Sequence, residues 1–241
     1  MIIALLVIAG LLQACSIAPK PLPTLTYSAP AAVRGLDYSE RRLLVFLRGI
    51  GGTVENFADY GMIAAAQARY PNLDVWVPDT SIGYYYKRSI LRRLQEDIID
   101  RARQRGYRRI DFAGVSLGGF GSLLYLECCQ QNVDNVVLIS PYSGESGTHA
   151  SIAATDDLRN WKPPSGTEDF ELDLWFWIAN NQPLFNSGRI WLGYGDEDYL
   201  TGQDLLAERL PESQVLIVDG DHSDEVFARI WQGLLDKGAL D

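Results

Sequence analysis

The stretch RRIDFAGVSLGGFGSLLY, residues 108–125, decides the fold of this chain. A short apolar run ends abruptly at Gly-Val-Ser-Leu-Gly, and a run of small and apolar residues follows. A strand that passes directly into a helix through a serine needs a sharp turn, which pushes the serine side chain clear of the edge of the sheet. Gly114 and Gly118 stand where bulk would clash in such a turn, and Gly119 allows the helix to pack closely. We therefore predict a strand–turn–helix unit that exposes Ser116.

Further apolar runs resemble the one before Ser116, and together they predict six buried strands at 43–47, 73–77, 109–114, 135–140, 189–194 and 214–218. Helical patterns lie between most of them, at 53–70, 87–106, 116–130 and 223–237. Runs that are apolar on both faces are typical of parallel strands covered by helices. The alternation predicts an α/β protein whose mostly parallel sheet is flanked by helices.

The interval 141–188 breaks this alternation, because no strand follows promptly. It is too long for a simple connection, so we predict a small cap inserted within one folded domain that spans residues 34–241. Tyr84, Tyr85 and Tyr86 follow the second predicted strand. Two interpretations stay open for them: a cleft wall that stacks on an apolar group or a sugar, or packing between a loop and the cap.

The net charge of −10 argues against nucleic acid as a principal partner, because neutralising phosphates needs a basic face. Nine of the 21 Lys and Arg residues nevertheless fall between Lys87 and Arg109. We interpret this run as a solvated helix face, with contact to anionic lipid headgroups or an acidic substrate as the alternative. The sequence has no Cys/His cluster at ligand spacing, no P-loop and no strand-associated G-x-G-x-x-G, so no metal and no cofactor is expected.

The N-terminal segment MIIALLVIAGLLQACS predicts export of the chain. Its apolar run 2–12 is too short to span a bilayer as a permanent helix, but it suits the central region of a secretory signal. LQAC resembles a bacterial lipobox, although no Lys or Arg precedes the apolar run and Gln13 is bulkier than the usual residue there. The resemblance implies a signal peptide over residues 1–14 and a lipid on Cys15. A buried N-terminal helix is the alternative.

Residues 15–33 are predicted to form an extended tether between anchor and domain, because they contain Pro19, Pro21, Pro23 and Pro30. By the same resemblance, Ser16 implies retention at the outer membrane, facing the periplasm, rather than at the inner membrane. If Cys15 is acylated, only Cys128 and Cys129 remain. A disulfide between neighbours is strained, so we predict two core-facing or half-buried thiols and no disulfide framework.

A serine hydroxyl is a poor nucleophile at neutral pH and needs a base within hydrogen-bond distance. The chain has only two histidines. His222 follows the last predicted strand and so lies at the carboxyl edge of the sheet, beside Ser116, whereas His149 is interpreted as an ordinary polar residue of a cap loop. The acidic run 196–198 follows the preceding strand at that edge, and a carboxylate can hold a catalytic histidine in one tautomer. The candidate residues therefore occur in the order Ser, Asp, His.

Over residues 43–235 the chain resembles the α/β-hydrolases, which carry their catalytic residues in this order. The matching segments are LLVFLRGIGG, VWVPDT, FAGVSLGG, IWLGYGDEDYL and VDGDHSDEVF. In that family a G-x-x-D pattern after the penultimate strand often supplies the triad acid. The resemblance implies Asp198 in this role, with Asp196 in reserve, while Asp221 is too close to His222 in sequence.

The family also holds the oxyanion of the reaction with two backbone N–H groups. The resemblance implies the N–H of Leu117, after the nucleophile, and one from the loop LRGIGGT, where position favours Ile50 with Gly49 in reserve. This loop usually begins with His-Gly, but here it begins with Arg48-Gly49. Arg48 either takes the same structural place or reaches a nearby acidic group.

The resemblance implies a serine hydrolase that cleaves a carboxylic ester or thioester through an acyl-enzyme. Ser116 would be the nucleophile, His222 the general base and Asp198 the residue that orients the histidine. The same triad is compatible with an acyltransferase or a peptidase, and the fold is compatible with a non-catalytic binding lipoprotein. The expected partners are a small-molecule or envelope-associated acyl substrate and, through the lipid on Cys15, the membrane.

Overall fold

The computed structural model describes residues 20–30, 33, 35–155, 157–163 and 169–241. Within them, seven strands form one sheet in the order β1-β3-β2-β4-β5-β6-β7. The strands are β1 Thr24–Tyr27, β2 Arg42–Leu47, β3 Leu73–Pro78, β4 Arg109–Val115, β5 Val136–Ile139, β6 Ile190–Gly195 and β7 Val215–Val218. β1 runs antiparallel to β3, and every other pair is parallel. The prediction of a mostly parallel sheet flanked by helices is confirmed.

The α-helices of the described residues are α1 Asn56–Asp59, α2 Met62–Arg69, α3 Ile82–Tyr86, α4 Ile90–Arg93, α5 Asp100–Arg105, α6 Leu117–Cys129, α7 Ser146–Ala153, α8 Phe170–Asn180, α9 Gln182–Phe185, α10 Gln203–Ala207 and α11 Asp224–Asp236. Two helices predicted as continuous are interrupted. Gly61, with a φ of 73°, separates α1 from α2, because glycine adopts positive φ at little cost. A π-helical segment, Leu94–Ile99, separates α4 from α5.

Alternate residues of β2 show how helices cover both faces of the sheet. Leu43, Val45 and Leu47 belong to one apolar cluster, which includes residues of α6. Leu44 and Phe46 belong to a second cluster, with residues of α1, α2 and α11. Successive side chains of a strand point to opposite faces, so the sheet is buried on both sides, as parallel strands require.

The interval 141–188 contains α7, α8 and α9 between β5 and β6. Trp161 and Trp175 are buried in it, and Trp177 packs against the same apolar cluster that contains the β2 side chains. The described residues of these helices therefore share the main apolar core with the sheet.

The packed part of the chain begins before residue 34, within the segment predicted to be a tether. β1 adds to the sheet there, and Leu22 and Ala29 on either side of it are buried. The backbone N–H of Leu22 donates to Asp97 Oδ2 at 2.9 Å, and that of Ala29 donates to Asp74 Oδ1 at 2.7 Å. The prolines that suggested a tether are compatible with an edge strand, because an edge strand needs backbone hydrogen bonds on one side only.

The prediction that Cys128 and Cys129 are two free thiols is wrong. The structure joins them in a vicinal disulfide. The prediction assumed a regular helix through both residues. Cys129 instead has φ −142° and ψ 34°, which lies outside the helical region, at the end of α6.

The predicted signal peptide over residues 1–14 and the predicted lipidation site Cys15 lie outside the described residues. Among the helices that the structure does describe, none has the length and apolar character needed to cross a membrane.

Candidate active site

Ser116 occupies the sharp turn between β4 and α6, with φ 52° and ψ −118°. Positive φ is uncommon for a residue other than glycine and is kept only where surrounding structure enforces it. A Cβ on Gly114 would collide with the backbone of Gly118, and a Cβ on Gly118 would collide with the carbonyl of Leu47. The glycines of the Gly-Val-Ser-Leu-Gly turn therefore allow backbone segments to pack closely enough to hold the serine in this conformation.

His222 and Asp198 form a hydrogen-bonded pair at the carboxyl edge of the sheet. His222 Nδ1 lies 2.8 Å from Asp198 Oδ2. An ionised carboxylate only accepts, so Nδ1 carries the proton and donates, and Nε2 of the neutral ring is left as the acceptor. His222 lines the same cavity as Ser116. The geometry thus places a base with a free acceptor nitrogen in the cavity that holds the strained serine.

Asp198 is poised to remain ionised. Its side chain has no solvent exposure, and burial by itself would raise its pKa. The hydrogen bonds from His222 and from the backbone N–H of Leu200, the latter at 2.9 Å, outweigh burial and hold the pKa of Asp198 below its ordinary value. A carboxylate in this state stabilises the imidazolium that forms when the histidine takes up a proton.

Two aromatic rings hold the imidazole of His222 in place. The ring of Tyr199 lies with its centroid 4.9 Å from that of His222, and the ring of Phe227 lies at 4.8 Å in an edge-on arrangement. The sequence analysis did not assign a role to either residue. Both stand close in sequence to a predicted triad residue, which was the available signal.

The other acidic candidates at this edge make different contacts. Asp196, the reserve candidate for the triad acid, accepts a hydrogen bond from the backbone N–H of Gly220 at 2.9 Å. Asp221 accepts one from the hydroxyl of Ser223 at 2.6 Å. Both carboxylates therefore hold loop conformations, whereas Asp198 is the one that bonds to His222.

Ser140 is a residue that the sequence analysis missed. It directly follows β5, is fully buried and has a φ of 42°, so its backbone is also in the rarely populated left-handed region. Its buried hydroxyl makes no direct hydrogen bond within the described residues, yet it contributes a small part of the lowering of the Asp198 pKa, after the larger effects described above. A serine at the end of a strand at the carboxyl edge was the only sequence signal for it.

The peptide between Ser116 and Leu117 is fixed through its carbonyl. The carbonyl of Ser116 accepts hydrogen bonds from the backbone N–H groups of Gly119 at 2.9 Å, Phe120 at 3.3 Å and Tyr142 at 3.0 Å. The peptide is trans, so the N–H of Leu117 points in the opposite direction from that carbonyl. As the first residue of α6, Leu117 has no acceptor within the helix for this N–H. The group is available to a ligand in the cavity, which Leu117 lines.

The peptide between Gly49 and Ile50 is fixed by a side chain. Arg48 Nη1 donates to the carbonyl of Gly49 at 3.0 Å, and its Nε donates to Asp79 Oδ1 at 2.7 Å. The N–H of Ile50 therefore points away from Arg48, and Gly49 lies so close to Ser116 that an added Cβ would stand 3.1 Å from the serine Cβ. Of the two alternatives for Arg48, the structure shows the one in which its charge reaches an acidic group.

The three tyrosines of α3 divide between the two interpretations. Tyr85 is buried and donates its hydroxyl to the carbonyl of Leu117 at 3.2 Å, while Tyr84 donates to the carbonyl of Lys20 at 3.2 Å. Tyr86 is 81% exposed and lines the cavity together with Tyr85. The hydroxyl groups of Tyr84 and Tyr85 are used in contacts within the protein, whereas Tyr86 is available to contact a ligand.

The cavity has a volume of about 1140 Å³, enough for a small acyl substrate. Its apolar wall includes Ile82, Phe120 and Phe170. Its lining also contains the carboxylates of Glu145, Asp169, Glu171, Asp224 and Glu225. Among the described residues Arg88 is the one cationic side chain of the lining. The cavity is thus apolar and acidic.

His149 is not an ordinary polar residue of a cap loop, as the sequence suggested, but is buried in α7. Its ring nitrogens lie 2.7 Å from Thr201 Oγ1 and 3.2 Å from Ser143 Oγ. Burial lowers the pKa of His149, so the ring is neutral at neutral pH. It links the cap to the loop after Asp198. Within the described part of the chain, no three His, Cys, Asp or Glu side chains are grouped so that they could hold a metal ion.

Solved structures share this architecture. The S-formylglutathione hydrolase FrmB from Staphylococcus aureus matches with a TM-score of 0.58 and 14% identity, over 91% of this chain and 98% of that one. FphF, a fluorophosphonate-binding serine hydrolase of the same organism, matches with a TM-score of 0.58 and 16% identity, over 90% and 99%. Est1E from Butyrivibrio proteoclasticus matches with a TM-score of 0.55 and 14% identity, over 90% and 96%. No protein-family model and no curated protein matches the sequence. The chain has the α/β-hydrolase fold.

Proposed function

We propose that the chain is a serine hydrolase that cleaves a carboxylic ester or thioester through an acyl-enzyme. The observation that carries the proposal is the His222–Asp198 pair, 2.8 Å apart, on the cavity that also contains the strained Ser116. Structural neighbours named as an S-formylglutathione hydrolase and a ferulic acid esterase support the class of reaction.

In the proposed mechanism His222 Nε2 removes the proton of Ser116 as the hydroxyl attacks the acyl carbonyl. The N–H groups of Leu117 and Ile50 bind the oxyanion of the tetrahedral intermediate. The imidazolium, stabilised by Asp198, then protonates the departing alkoxide or thiolate, which leaves Ser116 acylated. Water, deprotonated by His222, attacks the acyl-enzyme through a second tetrahedral intermediate. His222 returns that proton to the Ser116 oxygen as this intermediate collapses, which releases the carboxylic acid and restores the serine hydroxyl.

The lining of the cavity supports a preference among esters. Its carboxylates disfavour an anionic substrate, while its apolar wall suits an aliphatic or aromatic acyl group. We expect a neutral ester to be cleaved with a higher kcat/KM than the same ester bearing a carboxylate. Product analysis with and without an added alcohol acceptor distinguishes hydrolysis from acyl transfer.

The experiment that tests the proposal is labelling of the full chain with a small fluorophosphonate, followed by intact-mass and peptide analysis. One adduct on Ser116 is expected, absent in Ser116→Ala and formed more slowly in His222→Ala. Ser187→Ala is the matched control, because Ser187 is exposed and its hydroxyl makes only local contacts: it donates to the carbonyl of Leu184 and accepts from the backbone N–H of Arg189. A folded wild-type chain that forms no adduct, or a Ser116→Ala variant that keeps full ester turnover, would contradict the mechanism.

We further propose that the chain is a lipoprotein of the bacterial cell envelope, anchored through a lipid on Cys15 after removal of residues 1–14. The apolar run and the LQAC segment support this proposal, and Ser16 supports retention at the outer membrane. Metabolic labelling with a fatty acid should mark the wild-type chain and leave Cys15→Ser unmarked and soluble. Membrane attachment that survives the substitution would refute the anchor.

A further inference from the structure

The N-terminal end of the described chain, at Lys20, lies beside helix α3. Tyr84, in α3, donates its hydroxyl to the carbonyl of Lys20 at 3.2 Å. Two residues later, Leu22 is buried and its N–H donates to the buried carboxylate of Asp97 at 2.9 Å. The described chain is therefore held against the domain from Lys20 onward, and Lys20 lies beside α3.

Helix α3 is also a wall of the cavity. Its residues Ile82 and Tyr86 line the cavity and are 37% and 81% exposed. Its Tyr85 is tied to the carbonyl of Leu117, next to the proposed nucleophile. The same helix thus contacts Lys20 and forms part of the mouth of the cavity.

The chemistry around α3 suits the surface of a lipid bilayer. Ile82 and Tyr86 are exposed apolar and aromatic side chains of α3. Two exposed lysines lie beside them: Lys20, whose carbonyl contacts Tyr84, and Lys87, which directly follows the helix. Aromatic rings with a polar tip favour the level of the headgroups, and lysines favour anionic headgroups. We call these four residues the α3 surface.

We propose that the α3 surface rests on anionic lipid headgroups and holds the mouth of the cavity against the bilayer. The proposal builds on the proposed lipid at Cys15. Four residues lie between Cys15 and Lys20, and the five Cα–Cα steps that join them span at most about 18 Å even when fully extended. An anchor on such a short segment keeps α3 near the membrane. Substrates presented at the bilayer surface would then reach Ser116 without the domain turning over.

The test compares two pairs of charge reversals in the full lipidated chain, reconstituted into vesicles of phosphatidylcholine with and without phosphatidylglycerol. Lys20→Glu/Lys87→Glu reverses the cations of the α3 surface. Arg108→Glu/Lys237→Glu is the matched control, since it changes net charge equally. Arg108 precedes β4 and Lys237 follows α11, which places both at the opposite edge of the sheet. Each protein is assayed on a water-soluble ester and on an ester embedded in the vesicles.

On vesicles with phosphatidylglycerol, the α3 pair should lower turnover of the embedded ester by roughly tenfold, since each lysine near an anionic surface contributes appreciably to attraction. Its turnover of the soluble ester should stay within about twofold of wild type, and the difference should shrink at high salt. Equal losses in both pairs, or no loss in the α3 pair, would overturn the proposal. The latter result would mean that the cavity carboxylates keep anionic headgroups away from this side.

Hydrogen exchange provides a readout that does not depend on catalysis. Backbone amides of residues 82–87 should exchange more slowly in wild type on phosphatidylglycerol vesicles than on phosphatidylcholine vesicles, and the α3 pair should lose this protection. Protection without ester turnover would support the α3 surface and contradict the proposed hydrolase. Turnover without protection would do the reverse. Lipid labelling of Cys15 checks the anchor separately.

Discussion

The Ser116–Leu117 peptide and the Gly49–Ile50 peptide face the same cavity, yet different contacts fix them. Three backbone N–H groups hold the carbonyl of Ser116. The carbonyl of Gly49 is held by the side chain of Arg48, which in turn is paired with Asp79. Both arrangements fix the orientation of an N–H, that of Leu117 or of Ile50, which we propose binds the oxyanion. One relies on main chain and the other on an ion pair between two loops.

The two peptides should therefore respond differently to substitution and to salt. Backbone hydrogen bonds within the turn depend on close packing of glycines. A substitution that disturbs the Ser116–Leu117 peptide should therefore also destabilise the fold. The half held by Arg48 rests on one long side chain and a partner that is 40% exposed. It should respond to substitution and to salt while the fold survives.

The largest effect is expected from Gly118→Ala, which tests the half held by the backbone. The new Cβ would collide with the carbonyl of Leu47, and backbone atoms cannot move aside without disturbing β2. We expect the free energy of unfolding to fall by about 3 kcal/mol or more, measured by urea denaturation. Gly147→Ala in α7 is the control, because its Cβ meets nothing within 4 Å and should be neutral or slightly stabilising. Equal stability of both variants would show that the turn can relax.

Arg48→Met tests the other half and should have the next largest effect. Without the guanidinium the carbonyl of Gly49 is free to rotate, and the N–H of Ile50 loses its fixed direction. We expect kcat to fall roughly 100-fold with little change in KM or in stability, because loss of an oxyanion donor acts mainly on the transition state. Arg48→Lys keeps the charge but cannot contact the Gly49 carbonyl and Asp79 at the same time with a planar guanidinium. Its kcat should therefore lie between those of the wild type and of Arg48→Met. A rise in KM alone would mean that Arg48 binds substrate instead.

Asp79→Asn should have a smaller effect on the same half. The amide preserves the shape but removes the charge that holds Arg48. Because Asp79 is partly exposed, solvent screens the pair, and we expect kcat to fall only about three- to tenfold. The double variant Arg48→Met/Asp79→Asn should be no slower than Arg48→Met, since Asp79 acts through the arginine. Additive losses would show that Asp79 has a separate role.

The smallest effect is expected from salt. Raising the ionic strength should lower kcat of the wild-type chain by less than about twofold, because only the exposed side of the Arg48–Asp79 pair is screened. The Asp79→Asn variant should not show this dependence. A neutral ester serves as substrate, so that screening of the cavity carboxylates does not contribute. Identical salt profiles for the two proteins would show that the Arg48–Asp79 ion pair does not contribute to kcat.

Most of the fold could be predicted from the sequence because parallel strands covered on both faces read as short apolar runs. The six predicted strands appear as β2 to β7, with each end displaced by at most one residue. Strand β1 was missed because four residues between prolines carry no such run. Its position is set by Asp74 and Asp97, which hold the segment from 45 and 75 residues away. Nothing local to residues 20–30 signals those contacts.

The residues of the candidate site were likewise predicted only in part from the sequence. Sequence placed Ser116 and His222 at one edge of the sheet, because a residue just after a parallel strand lies at its carboxyl end. It left Asp198 and Asp196 as alternatives, because both follow β6 within the same short loop. The structure separates them by their contacts, since Asp198 bonds to His222 and Asp196 holds a turn. The only sequence signal for Ser140 was its place at the end of β5, and its effect on Asp198 depends on how the neighbouring strand β6 packs.

By itself the sequence determined the strand–turn–helix unit around Ser116, the order of the candidate triad and the class of the fold. These depend on glycine sterics and apolar periodicity, which act over a few neighbouring residues. Only the tertiary structure decided that Asp198 faces His222, that Arg48 fixes the amide of Ile50 through Asp79, and that the N-terminal segment joins the sheet as β1. Each of these depends on side chains brought together from distant parts of the chain, and their directions are set by packing.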